Sequence, residues 1–82
     1  MKKLRKQELF VYASGEELRV NDKVIIEGCR RAIVERILRK KSKEARDYYV
    51  EEEGGFLLRF EAGGYEVWLT TDDEIQFVGR GD

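Results

Sequence analysis

Apolar and polar positions alternate most clearly over residues 57–70, where two runs meet at Gly63-Gly64. Such a glycine pair supplies the positive φ angles that a two-residue hairpin turn requires. With Gly63 and Gly64 as the loop, Phe60 faces Val67, Leu58 faces Leu69, and Arg59 faces Trp68. Phe56, Leu58, Phe60, Tyr65, Val67 and Leu69 then share one face, while Leu57, Arg59, Glu66 and Trp68 share the other. Trp68 is therefore expected to point outward beside Arg59. The same register sets Glu61 against Glu66, a like-charge pair that a longer loop would avoid.

The rest of the pattern is mostly of strand type. Residues 8–13 are rich in strand formers and end at Ser14-Gly15, which predicts a peripheral first strand. Leu18, Val20, Val24 and Ile26 alternate, with a bend at Asn21-Asp22 and a stop at Gly28. Residues 29–46 admit two readings. A strand over residues 31–39, bent partway so that Val34 and Ile37 both reach the core and followed by a charged loop, is preferred. A helix is the alternative, since Ile33, Val34, Ile37 and Leu38 also fit one helical face; Arg30 and Arg31 in its first turn and the missing N-cap oppose it. Residues 47–53 read as a further strand, with Tyr48 and Tyr49 on opposite faces, one core and one surface, and Gly54-Gly55 turning into the hairpin. Residues 70–74 read as a polar turn before a last short strand over 75–78.

This order of elements resembles an SH3-like small barrel of the Tudor and KOW kind. The matching residues are the opening strand Asn21-Asp22-Lys23-Val24-Ile25-Ile26-Glu27-Gly28, then Arg31-Ala32-Ile33-Val34-Glu35-Arg36-Ile37, the hairpin of residues 57–70, and Asp72-Asp73-Glu74-Ile75. The resemblance spans roughly residues 20–78 and implies a mainly β fold of 5–6 antiparallel strands, or an α+β variant if a helix is inserted around residues 30–46. It departs from the family at Arg31-Ala32, where a KOW second strand is preceded by glycine, and at residues 28–31, which lack the aromatic of a Tudor cage. Residues 40–55 form a segment long for the family, an extended hairpin or a short helix.

Length adds one constraint: 82 residues make a single domain, with the barrel over about residues 8–78 and frayed ends at 1–7 and 79–82. Composition narrows the chemistry further. With no histidine and the single cysteine Cys29, neither a Cys/His zinc site nor the common nucleophile and base pairs can form within one chain, so no enzyme and no cofactor is expected. A lone thiol fits a reducing compartment, and no apolar run suits a membrane span, so a cytoplasmic protein without membrane contact is expected. Cys29 beside Arg30 and Arg31 has the setting of a reactive thiolate, although a small buried hydrophobe at a strand end is the preferred reading. Asp72, Asp73 and Glu74 lack the glycine-turned pattern of a calcium loop and read as a capped turn, not a metal site.

Charge is the remaining clue to partners. The chain is nearly neutral, yet residues 30–46 carry eight basic against two acidic side chains, and residues 47–82 carry two against ten. The two stretches can pair with each other, or the basic one can steer a polyanion. Two expectations follow. The first is a nucleic-acid-associated module that neutralises phosphates with Arg30, Arg31, Arg36, Arg39, Lys40, Lys41 and Lys43. The second is a protein-interaction or assembly module that uses Leu57, Arg59 and Trp68 on one sheet face.

Overall fold

The computed structural model describes residues 10–80. Its elements are β1 (Asp22–Ile26), β2 (Arg30–Leu38), α1 (Lys43–Asp47), β3 (Gly55–Phe60), β4 (Tyr65–Trp68) and β5 (Ile75–Arg80). All strands pair antiparallel in one sheet of order β4-β3-β2-β1-β5. The fold is thus mainly β, a four-strand meander of β1 to β4 with the fifth strand returned beside the first. Among the described residues no ladder joins β4 to β5, and these two strands form the edges of the sheet.

Period-two alternation gives the sheet an inner face. Val24, Ile26, Ala32, Val34, Phe56, Leu58, Phe60 and Ile75 pack there, and Tyr12 and Leu18 from the preceding segment close over them. Phe10 meets the Phe56 ring edge-on at 5.1 Å, and Tyr12 lies 5.0 Å from Phe77. That segment is not a full strand: its described part makes a single bridge, Val11 to Glu17, and the rest of residues 8–13 lies outside the described residues.

The preferred reading of residues 31–39 agrees with β2. Its ladder shifts between Val34 and Arg36, so one extra residue is accommodated. Such a bulge rotates the strand, which is why Val34 is fully buried while Ile37 also packs against the main core. Beyond it the segment forms the short α1. Ser42 caps α1 by accepting the Ala45 amide at 3.0 Å, and the Val50 amide donates back to the Ala45 carbonyl at 2.8 Å. Leu38, Ala45 and Val50, with Val67 against them, make a second small core on the other face of the sheet.

Three expectations fail here. Residues 47–53 are not a strand but the end of α1 and the turns after it, and Tyr48 and Tyr49 are both exposed, at 40% and 92%. Gly79 and Arg80 are not frayed: they extend β5 opposite Lys23 and Asp22. The hairpin has a different register. Phe56 pairs with Trp68, Leu57 with Val67, Leu58 with Glu66 and Arg59 with Tyr65. The Phe60 amide donates to Gly64 at 3.0 Å and the Gly63 amide to Phe60 at 2.9 Å, so the loop is longer than two residues. Glu61 is thereby released from Glu66, and β4 turns over. Trp68 faces inward and packs against the main core.

Candidate functional site

The basic stretch is spread along β2 and past its end rather than gathered on one face. Arg30 and Arg31 open the strand and Lys40 and Lys41 follow it, about 30 Å of extended chain away. Acidic side chains interleave with them. Arg30 lies 2.9 Å from Glu66 and 4.2 Å from the centre of the Phe60 ring, Arg36 lies 2.9 Å from Glu44, and Lys41 lies 3.8 Å from Glu52. Arg46 pairs with Glu51 at 3.6 Å, and Arg39 is engaged in a contact of its own. Of the seven expected phosphate contacts, Arg31, Lys40 and Lys43 have no ion pair with a described residue. Hydrogen bonding to Glu66 raises the Arg30 pKa. In return, the hydrogen bonds from Arg30 and then Trp68 hold the Glu66 carboxyl below its usual range.

The expected protein-binding trio does not share a surface. Leu57 is 5% exposed, opposite Val67. Trp68 is half-buried on the inner side, its Nε1 donating to Glu66 Oε1 at 3.2 Å. Arg59 is exposed on the outer face, where its Nε donates to Glu35 at 2.9 Å; that bond raises its pKa. In register Arg59 lies between Ile33 and Tyr65, not beside Trp68.

That outer face has features the sequence reading did not single out. Ile25 and Ile33 are half-buried on it, Tyr65 is 59% exposed, and Val78, beside the register shift of β5, is 57% exposed. Two depressions mark it. One of about 220 Å³ is lined by Lys23, Ile25, Arg31, Ile33, Glu61 and Val78. The other, of about 330 Å³, is lined by Glu35, Arg36, Tyr48, Leu57 and Tyr65. A signal for the first was present in the sequence: Val24-Ile25-Ile26 and Ala32-Ile33-Val34 are apolar without interruption, so each offers an apolar side chain to both faces.

A buried polar node fixes the other end of β1. Asp22 is fully buried and both its oxygens are engaged: Oδ2 accepts from the Tyr12 hydroxyl at 2.7 Å and the Arg19 amide at 2.8 Å, and Oδ1 accepts from Arg80 at 2.8 Å. Arg80 continues to Glu16 at 3.1 Å and lies over the Phe77 ring. Burial, then the bond to Asp22, pushes the Tyr12 hydroxyl pKa far up. With every group satisfied, this node is a lock between segments rather than a reactive site.

The remaining candidates are plain surface features. Cys29 is exposed in the β1–β2 turn, not buried as expected. Asp72 caps its own turn, accepting the Glu74 amide at 2.9 Å, and among the described residues no group of three metal-ligating side chains occurs. No described helix is long and apolar enough to cross a membrane. No protein-family model, no curated protein and no solved structure matches the chain.

Proposed function

We propose that this chain is a non-enzymatic protein-interaction module that docks its partner on the outer face of the sheet. The observation that carries this reading is the set of apolar and tyrosine side chains on the outer face: Ile25 and Ile33, half-buried, and Tyr65 and Val78, each more than half exposed. Aliphatic and tyrosine side chains surrounded by charge are the composition of a protein-binding patch, with tyrosine as the usual anchor. The five antiparallel strands agree with the mainly β fold that the resemblance implies, and a sheet of this kind supports the reading of a small scaffold presenting a binding face.

Nucleic-acid binding through residues 30–46 is the weaker reading, because Arg30, Arg36 and Lys41 already sit against Glu66, Glu44 and Glu52. A phosphate there would meet a carboxylate as well as a cation, so less counterion is released per contact. The test is photo-crosslinking in the source cells from benzoylphenylalanine at Tyr65, with Glu53 in the preceding turn as the control position. A discrete protein adduct from Tyr65 and none from Glu53 is expected. Adducts to nucleic acid, equal yields from both positions, or no adduct would overturn the reading.

A further inference from the structure

On the outer face β1 and β2 set two cations and two isoleucines in a square. Lys23 pairs with Ile33 and Ile25 pairs with Arg31, so the charges occupy one diagonal and the aliphatic groups the other. Val78 of β5 extends the apolar side, and together they line the depression of about 220 Å³. The two cations stand apart from the other arginines of the sheet. Arg30, Arg59 and Arg80 are each held by a carboxylate at 2.8–2.9 Å, whereas neither Lys23 nor Arg31 has an ion pair with a described residue.

From this square we infer that the outer face takes an extended acidic segment of a partner protein, with two carboxylates two residues apart and an aliphatic residue next on the same side. The inference rests on the interaction-module reading and gives its partner a chemistry. The spacing is geometric. Diagonal neighbours on adjacent strands lie about 7–8 Å apart, and same-side residues of an extended chain repeat about every 7 Å, so carboxylates at i and i+2 reach Lys23 and Arg31 together. The next same-side residue, at i+4, then lies past Lys23 on the β5 side, toward Val78. Glu61 lines the depression near Arg31, which sets the polarity: a further acid past Arg31 is repelled, so the aliphatic end lies toward β5.

The probe is a labelled ten-residue peptide of glutamate, threonine and valine in that same-side order, titrated into the full chain and followed by amide chemical shifts. Shifts confined to Lys23, Ile25, Arg31, Ile33 and Val78, weakening with salt, are expected. The double variant Lys23→Glu/Arg31→Glu should bind about tenfold more weakly or worse, the combined effect of two exposed ion pairs, with the rest of its spectrum unchanged. Should that variant fail to fold, Lys23→Gln/Arg31→Gln serves the same comparison. Shifts that map elsewhere, no shifts, or an oligothymidylate that perturbs the same amides more strongly would overturn the inference. If the peptide fails while Tyr65 still crosslinks to protein, the acidic chemistry is wrong and the interaction-module reading stands.

Discussion

Tyr49 occupies a position that favours glycine. Its φ is +63°, and the amide bonds from Tyr49 to Arg46 and from Val50 to Ala45 place it where a helix-ending turn enters the left-handed region. A bulky side chain costs about 1–2 kcal/mol there, and Tyr49, 92% exposed, offers little packing in return. Tyr49→Gly should therefore stabilise the domain by about 1 kcal/mol in urea denaturation; a loss of stability would show that the exposed ring matters to the fold. Asp22 is the opposite case. Asp22→Ala leaves the Tyr12 hydroxyl, the Arg19 amide and the Arg80 guanidinium short of a partner, and should cost about 3 kcal/mol by the same measurement. Neither role was legible in the sequence, where Asn21-Asp22 reads as an ordinary bend and Tyr48-Tyr49 as part of a strand. What defines them are partners 10 and 58 positions away in one case and a backbone angle in the other.

Strands and turns were legible where one face is apolar and the other is not. β1, β2 with its bulge, and β5 fall close to where alternation places them. The hairpin misled for a physical reason. Val67, Trp68 and Leu69 are apolar in succession, so alternation cannot choose the inward face of β4, and the Gly63-Gly64 pair selects the shortest turn by default. In the folded chain Val67 pairs with Leu57 rather than Phe60, three positions along, and an odd shift exchanges the faces. Close packing pins that register. A Cβ added at Gly55 would lie 2.5 Å from the Trp68 carbonyl oxygen, inside backbone that cannot yield cheaply. Gly55→Ala should destabilise by about 2 kcal/mol or more and alter Trp68 fluorescence, whereas Gly63→Leu, in open space, should show strain from its φ of +115° without that spectral change.

At the scale of the molecule, the uneven charge along the chain becomes a set of local pairs on the surface. The +6 stretch is dispersed among acids, and the candidate surface moves to the outer face, whose apolar residues lie on strands that are apolar on both sides. The fold also carries an alkaline limit. The Tyr12 pKa is raised in the folded state, so its hydroxyl stays protonated where the unfolded chain ionises. That contribution is fully present below the ordinary tyrosine value of about 10 and is lost as pH rises above it. Thermal unfolding followed from pH 8 to 11.5 should show a falling midpoint beyond about pH 10, and Tyr12→Phe should flatten that fall while costing about 1 kcal/mol at neutral pH.

The Asp22–Arg80 contact also sets a tempo. It joins residues 58 positions apart, and the β1–β5 ladder beside it is equally non-local, whereas β1–β2 and β3–β4 can close over short loops. Loop-closure entropy places such a contact after the meander has formed, so it belongs to the far side of the folding barrier. Weakening it should then leave the rate of arrival untouched and shorten the lifetime of the native state. In stopped-flow denaturant jumps, Arg80→Ala is expected to raise the unfolding rate about tenfold and leave refolding nearly unchanged, while slowed refolding would put the contact inside the nucleus.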